Sequence, residues 1–253
     1  MSRFGDRLAT GPAALGLWQA LATPYTAEIC AGAGFDWLMF DGEHAPNTLQ
    51  TLLAQLHAVS SHPVEPMARV PIGSAEVIKQ YLDIGFSTLL VPMVESAEQA
   101  AEIVAATRFP PTGVRGVASA TSRASGFGAN ATYLRDAHKD ICLIVQIESR
   151  VGLDAIDAIA AVEGVDALFV GPADLAGSLG HLGDPRHPEV QAAITHALAR
   201  IAAAGKPAGI FAVSPDDARE KIAAGVRFVS IGTDIGLLVA GAKALLKKVN
   251  DAS

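Results

Sequence analysis

The feature that most limits what this chain can fold into is one theme repeated eight times. A short apolar run ends in Gly, Pro or polar residues, and an amphipathic or Ala-rich stretch follows. The runs are AALGLW (13–18), FDWLMF (35–40), EPMARV (65–70), TLLVPMV (88–94), ICLIVQIE (141–148), VDALFVG (165–171), KPAGIFAV (206–213) and RFVSIG (227–232). Most are apolar throughout, as strands covered on both faces are. The stretches between them read as helices. TPYTAEICAGAG offers Thr23 as cap and Pro24 at the first helical position, and its glycines stop it. PNTLQTLLAQLHAVSS sets Leu49, Leu52, Leu53 and Leu56 on one face. SAEVIKQYLDIG begins with Ser74, and SPDDAREKIAAG begins with Ser214 and carries two acids in its first turn. In SAEQAAEIVAATRFP, Ser96 is followed three places on by Gln99, the spacing of a capping box.

Eight β-then-α units in 253 residues match the size of a (β/α)8 barrel. The expectation is therefore an α/β fold, a single-domain (β/α)8 TIM barrel over 1–253. A doubly wound open sheet competes on pattern alone, but no G-x-G-x-x-G opens the first helix to signal a dinucleotide site. One long insert, 109–134, lies between the fourth and fifth strands and is rich in Gly, Ser and Thr. A loop of that length in a compact domain is usually functional. The C-terminal IGLLVAGAKALLKKVN is amphipathic and strongly apolar, suited to docking on a neighbouring subunit.

Charge excludes several partners. Lys plus Arg is 19 and Asp plus Glu is 26, a formal charge of −7 with no basic stripe, so nucleic acid is not expected. No apolar run reaches the length of a membrane span, and the N-terminus lacks the apolar core of a signal peptide. Cys30 and Cys142, each in an apolar segment, read as thiols of a cytoplasmic protein.

In a barrel the carboxyl ends of the strands form the active face. The polar residues there are Asp41, Glu43 and His44 after the second run, Arg69 on the third, Gln146 and Glu148 on the fifth, and Asp174 in GPADLAGSLG after the sixth. Trp18, Phe211 and Asp234 stand at the first, seventh and eighth. Two carboxylates without Cys or His beside them suit Mg²⁺ or Mn²⁺ better than structural zinc. A metal, a cation and an imidazole around one pocket suit proton abstraction next to a carbonyl. Each group also has a plainer reading: His44 as a loop histidine, Arg69 and Glu148 as partners in ion pairs, Asp174 as a helix cap, and Trp18 and Phe211 as core. Asp41 and Glu43 are expected to orient Arg69 or support the metal from behind. The remaining histidines read as solvated or structural.

FDWLMFDGEHAP, ARV at 68–70, VPMVESAEQA, RGVASATSRAS, QIES and FVGPADLAGSLG together resemble the HpcH/HpaI family of metal-dependent pyruvate aldolases, over nearly the whole chain and in the same order. The resemblance implies a class II aldolase that cleaves 4-hydroxy-2-oxo acids to pyruvate or hydroxypyruvate plus an aldehyde. It implies that Glu148 and Asp174 hold a divalent metal, Mg²⁺ or Mn²⁺, with Co²⁺ or Zn²⁺ as alternatives. The backbone of Ala173 and Asp174 would bind the donor carboxylate, Arg69 the developing enolate oxygen, and Gln146 would lie near the substrate. His44 would serve in acid–base catalysis, with Asp83 pairing to it and setting its basicity. Trp18, Val117 and Phe211 would wall the acceptor side, and the insert with Arg123 would close over it. The family usually carries an aliphatic residue where Phe211 stands, which bears on the aldehyde and not on the donor. A homo-oligomer, a hexamer, is implied as well. No lysine ends a strand, since Lys79 and Lys221 lie in helical stretches and Lys206 starts a run, so a Schiff base is not expected. The rival readings are an acyl-CoA lyase, for which no basic extension is evident, a phosphate-binding barrel isomerase, and a non-catalytic barrel that binds a 2-oxo acid.

Overall fold

The computed structural model describes residues 3–251. Its elements run α1 (Arg3–Thr10), β1 (Ala14–Gln19), α2 (Pro24–Ala31), β2 (Trp37–Asp41), α3 (Leu49–Ala58), β3 (Glu65–Arg69), α4 (Ala75–Asp83), β4 (Thr88–Val91), α5 (Ala97–Thr107), α6 (Tyr133–Asp136) and β5 (Cys142–Ile147). They continue as α7 (Arg150–Asp154), α8 (Ile156–Ala160), β6 (Ala167–Val170), α9 (Pro172–Ser178), α10 (Pro188–Ala203), β7 (Ala208–Phe211), α11 (Pro215–Ala223), β8 (Phe228–Thr233) and α12 (Asp234–Asn250). All eight apolar runs are strands, all parallel, and β8 returns to β1 to close the barrel. The open sheet is thereby excluded.

Strand boundaries shift where a polar residue finds a better partner. The second strand starts at Trp37, not Phe35, because Asp36 turns aside. Its carboxylate accepts from Leu15 N–H (2.7 Å) and pairs with Arg7 of α1. That helix was not anticipated from the sequence. It buries Phe4 and Leu8 against the barrel interior, with Phe4 edge-on to Phe228.

Period-2 alternation divides each strand between two cores. Leu38, Phe40, Ala68, Leu89 and Val145 face outward and pack under the helices. Trp37, Met39, Met67, Leu90, Ile144 and Phe169 face inward and fill the barrel. Extending the inward rows toward the carboxyl ends gives Trp18, Asp41, Arg69, Gln146 and Phe211, so one rim of the barrel receives the polar groups.

The long insert lies elsewhere than expected. It follows α5, so it joins a helix end to the start of β5 and runs along the amino-terminal face. Ser122 Oγ donates to Asp83 C=O (3.2 Å), and Arg123 donates to Ile84 C=O (3.1 Å) and His57 Nε2 (3.1 Å), all at the far ends of α3 and α4. The insert also contains one 3-10 turn, Arg123–Ser125, and the short α6 begins at its end. At the C-terminus, every residue of α12 from Ile235 to Asn250 is exposed, including Leu237, Leu238, Leu245, Leu246 and Val249. Asp234, its first residue, instead accepts from the N–H groups of Ala20 and Leu21 and ties the end of β1 to the helix start. No described helix is long and apolar enough to cross a membrane.

Candidate active site

A cavity of about 450 Å³ opens at the carboxyl ends of the strands. Trp18, His44, Arg69, Gln146, Glu148, Ala173, Asp174 and Phe211, all singled out from the sequence, line it. Among the described residues, no lysine does.

The acidic cluster after β2 is organised around Arg69. β2 and β3 are in register with Asp41 opposite Arg69. Asp41 takes Arg69 Nε (2.9 Å) and one terminal nitrogen (2.6 Å), and Glu43 takes the other (2.8 Å). Asp41 also accepts from the N–H groups of Glu43 (3.0 Å) and His44 (3.3 Å), which folds the rim loop back over the arginine. Gly42 admits this turn, since a Cβ there would lie 2.0 Å from the Tyr81 hydroxyl. Burial pushes the Asp41 carboxyl up, but the hydrogen bond and charge of Arg69 outweigh it and hold the group below the ordinary range. Burial wins at Glu43, which is raised despite Arg69 and His44. Two of the five guanidinium N–H groups of Arg69 donate to Asp41, and the other terminal nitrogen is held by the charge of Glu43, so N–H groups remain for a ligand. The guanidinium lies 5.0 Å from the Trp18 ring centroid. His44, with its side chain 66% exposed, sits at the mouth, its Nε2 3.8 Å from Glu43.

Across the cavity, Glu148 is 3% exposed. Its Oε1 accepts from Met93 N–H (2.8 Å) and its Oε2 from Gln146 Nε2 (2.8 Å). Burial pushes its carboxyl up to about 7, the charges of Asp174 and Glu43 add to the shift, and Met93 N–H and Arg69 oppose it. Gly171 makes room for it, because a Cβ there would stand 2.4 Å from Glu148 Oε2. Asp174 lies in the first turn of α9, whose N-cap is Gly171, so it does not cap that helix. The N–H groups of Ala173 and Asp174 precede the first bond of the helix, from Leu175 N–H to Gly171 C=O. Gln146 Oε1 is buried without a partner among the described residues. Hard oxygen donors, a carboxyl crowded by two others and an orphan amide oxygen fit a hard divalent cation at Glu148 and Asp174. The remaining wall is apolar. Trp18 packs on Phe169 (5.8 Å) and Phe211 (5.6 Å), joined by Pro172, Pro185 and Val213.

Three expected residues are not at this site. Asp83 ends α4 on the opposite face, where its carboxylate accepts from buried Arg115 (2.7 Å), not from His44. The reason is topological: a helix returns antiparallel to its strand, so its last residue lies at the far rim. Val117, 60% exposed, and Arg123 sit on the insert at that rim and do not line the cavity. Conversely, Met93, Phe169, Gly171, Pro185 and Val213 were not assigned roles from the sequence. Phe169 was readable from inward alternation, whereas the backbone donor at Met93 carries no side-chain signature. Of the other histidines, His187 accepts from Glu189 N–H at the start of α10, and His181 pairs with Glu189. With Glu189 they form the one group of three metal-competent side chains among the described residues, away from the Glu148–Asp174 pair.

A closed eight-stranded barrel with carboxylates, an arginine and a histidine converging at its carboxyl rim defines a barrel enzyme acting on a small polar molecule. Residues 14–240 match the family described as HpcH/HpaI aldolase/citrate lyase, and the chain belongs to that family. It is 55% identical over 250 residues to a hydroxypyruvate/pyruvate aldolase of Deinococcus radiodurans, covering 99% of this chain and 90% of that protein. It is 48% identical to a 4-hydroxy-2-oxo-heptane-1,7-dioate aldolase of Salmonella dublin, covering 96% and 92%. The crystal structure of a HpcH/HpaI aldolase/citrate lyase family protein from Burkholderia cenocepacia J2315 superposes with a TM-score of 0.95 at 42% identity, covering 99% and 100%. The chain is accordingly an aldolase of this family, a lyase acting on carbon–carbon bonds.

Proposed function

We propose that this enzyme reversibly cleaves 4-hydroxy-2-oxo acids to pyruvate or hydroxypyruvate and an aldehyde, with the chemistry in the cavity between Arg69 and Glu148. The observation that carries the reading is the division of that cavity. Arg69, Gln146, Glu148 and Asp174 give it a polar lining, and Trp18 and Phe211 give it an apolar wall. The first suits a 2-oxo acid donor and the second the aldehyde.

Glu148 and Asp174 would hold the divalent metal, Mg²⁺ or Mn²⁺, with Co²⁺ or Zn²⁺ as substitutes. When bound, such a metal supplies a Lewis acid next to the donor's 2-keto group. The N–H groups of Ala173 and Asp174 receive the donor carboxylate at the start of α9. In cleavage, a base removes the 4-hydroxyl proton, the C3–C4 bond breaks, and its electron pair moves onto the 2-keto oxygen as an enolate. Arg69 N–H groups not taken by Asp41 donate to that oxygen, and Asp41 and Glu43 keep the guanidinium from swinging away. His44, alone or through water, moves the proton at the reacting carbons. Gln146 holds Glu148 in place and offers its free oxygen to the cavity. Phe211 narrows the aldehyde side through its contact with Trp18.

Asp83, Val117 and Arg123 can reach an active cavity only between subunits, because within one chain they occupy the opposite rim. We take the assembly to be a homo-oligomer, a hexamer as the family resemblance implies, with the uncovered apolar length of α12 docked on a second copy of the chain. The two cysteines in apolar segments suit a cytoplasmic enzyme.

The test is α-proton exchange. The protein is incubated with pyruvate and Mg²⁺ in D₂O, and loss of the methyl signal is followed by NMR, with parallel samples containing chelator or the His44→Ala variant. Exchange that needs both metal and His44 is expected. Exchange that persists in chelator, or no exchange at all, would overturn the reading and favour an acyl-CoA lyase or a binding protein.

A further inference from the structure

The Ser96–Gln99 spacing that signals a capping box is used differently here. Ser96 Oγ accepts from Gln99 N–H (3.1 Å), as a cap does. The Gln99 side chain does not return to Ser96 N–H. Its Oε1 accepts from Glu95 N–H (2.8 Å), and its Nε2 donates to Met93 C=O (3.1 Å). One carboxamide thus bridges the backbone across the turn that leaves β4.

That turn is strained. Met93 has φ of 54°, in the left-handed region that disfavours a residue with a side chain. Such a conformation persists where surrounding contacts over-determine it. Here it directs Met93 N–H at Glu148 Oε1, the only backbone donor that carboxylate has among the described residues. Val94 N–H to Gln146 C=O (3.2 Å) and Ser149 Oγ to Glu95 (2.5 Å) tie the same turn to β5 and its exit loop. Gln99 itself does not line the cavity.

We infer that Gln99 is a positioning residue for the metal site: it holds the Met93 peptide in its left-handed turn so that Met93 N–H fixes the Glu148 carboxylate. The inference rests on the assignment of Glu148 and Asp174 as metal ligands. Loss of a hydrogen-bonding partner behind a ligand typically costs about 10–100-fold in metal affinity. Gln99→Ala removes both halves of the bridge. Gln99→Glu keeps an acceptor for Glu95 N–H but loses the donor to Met93 C=O, and so isolates the link to Met93. Met93→Gly in the Gln99→Ala background supplies a residue that adopts the left-handed turn without strain.

The experiment is Mn²⁺ titration of the full chain, with free Mn²⁺ followed by electron paramagnetic resonance and folding checked by circular dichroism. Both Gln99 variants are expected to bind Mn²⁺ about tenfold or more weakly. The Gln99→Ala/Met93→Gly double variant should recover part of that loss. At saturating Mn²⁺, pyruvate exchange should return close to the wild-type rate, so the defect lies in metal affinity and not in turnover. Wild-type affinity in both folded variants would overturn the inference, as would a double variant no better than Gln99→Ala. Glu148→Gln separates the two levels: unchanged Mn²⁺ binding there removes the metal assignment itself. Lost binding there, with the Gln99 variants unaffected, removes only the role of Gln99.

Discussion

Glu148→Gln should make the metal-free protein more stable at neutral to alkaline pH, although it removes a residue of the active site. The carboxyl is raised from an ordinary 4.5 to about 7, first by burial and then by the charges of Asp174 and Glu43. Between those values the folded chain binds a proton that the unfolded chain has released. The stability this contributes is fully present below pH 4.5 and is lost as pH rises through 7. At about 1.4 kcal/mol per pH unit, the ionised carboxylate costs as much as about 3 kcal/mol at pH 8. Glutamine fills the same space uncharged. Its oxygen can keep Met93 N–H, and its amide can meet the unpartnered Oε1 of Gln146 once that amide flips. For a chain of this size the gain corresponds to about 6–12 °C in Tm. Scanning calorimetry in EDTA at pH 5 and pH 8 is the assay. A gap at pH 8 that shrinks to under about 1 kcal/mol by pH 5 is expected, and Mn²⁺ should stabilise only the wild type. A variant no more stable than wild type at pH 8, or an equal gap at both pH values, would refute the account of Glu148 as a carboxylate under electrostatic load.

Four further outcomes are expected. Gly171→Ala places a methyl group 2.4 Å from Glu148 Oε2 and should lower Mn²⁺ affinity more than about tenfold with circular dichroism unchanged. Arg69→Met leaves Asp41 and Glu43 without their cation; urea unfolding should show a loss of about 3–5 kcal/mol and deuterium exchange should slow at least about 100-fold. Arg69→Lys should restore more of the stability than of the rate. If α12 joins copies of the chain as proposed, Leu238→Glu with Leu245→Glu should lower the mass seen in light scattering toward a single chain; a wild type that is already a single chain, or an unchanged oligomer mass, would show that the helix is not the joint.

The barrel was legible because apolar runs and helical stretches alternate without a break, and most of the site followed from knowing which end of each strand carries it. The Asp41–Arg69 pair lay within reach of the same logic, since adjacent parallel strands in register bring the two residues level. What misled was the insert. It lies between two strands, but α5 comes first, so the insert closes a helix-to-strand connection on the far face. The helical reading of SAEQAAEIVAAT already contained that answer. Within one chain Asp83 is kept from His44 for the same reason, being the last residue of a helix, where Arg115 holds it. Pro185 and Val213 reach the cavity from loops whose paths no local pattern dictates, and Met93 acts through a backbone N–H that any residue possesses.

The carboxylates of this site do not all have the same kind of partner. Asp41 and Glu43 share Arg69, and the pair of them already outnumbers its single charge. Glu148 and Asp174 have no cationic side chain of their own among the described residues. Met93 N–H, the Gln146 amide and a strained turn hold Glu148 in place, and burial still pushes it toward its neutral form. A chain selected for stability alone would put an amide at position 148. A carboxylate kept there at a cost in stability is explained if a dication completes the set, because one added charge of +2 relieves Glu148 and Asp174 together. It leaves to Arg69 only the donation of N–H groups not taken by Asp41 to the oxygen that becomes negative on the substrate. The same reasoning explains why the supports are rigid and mostly neutral: a second arginine beside Glu148 would satisfy the carboxylate and compete with a dication there.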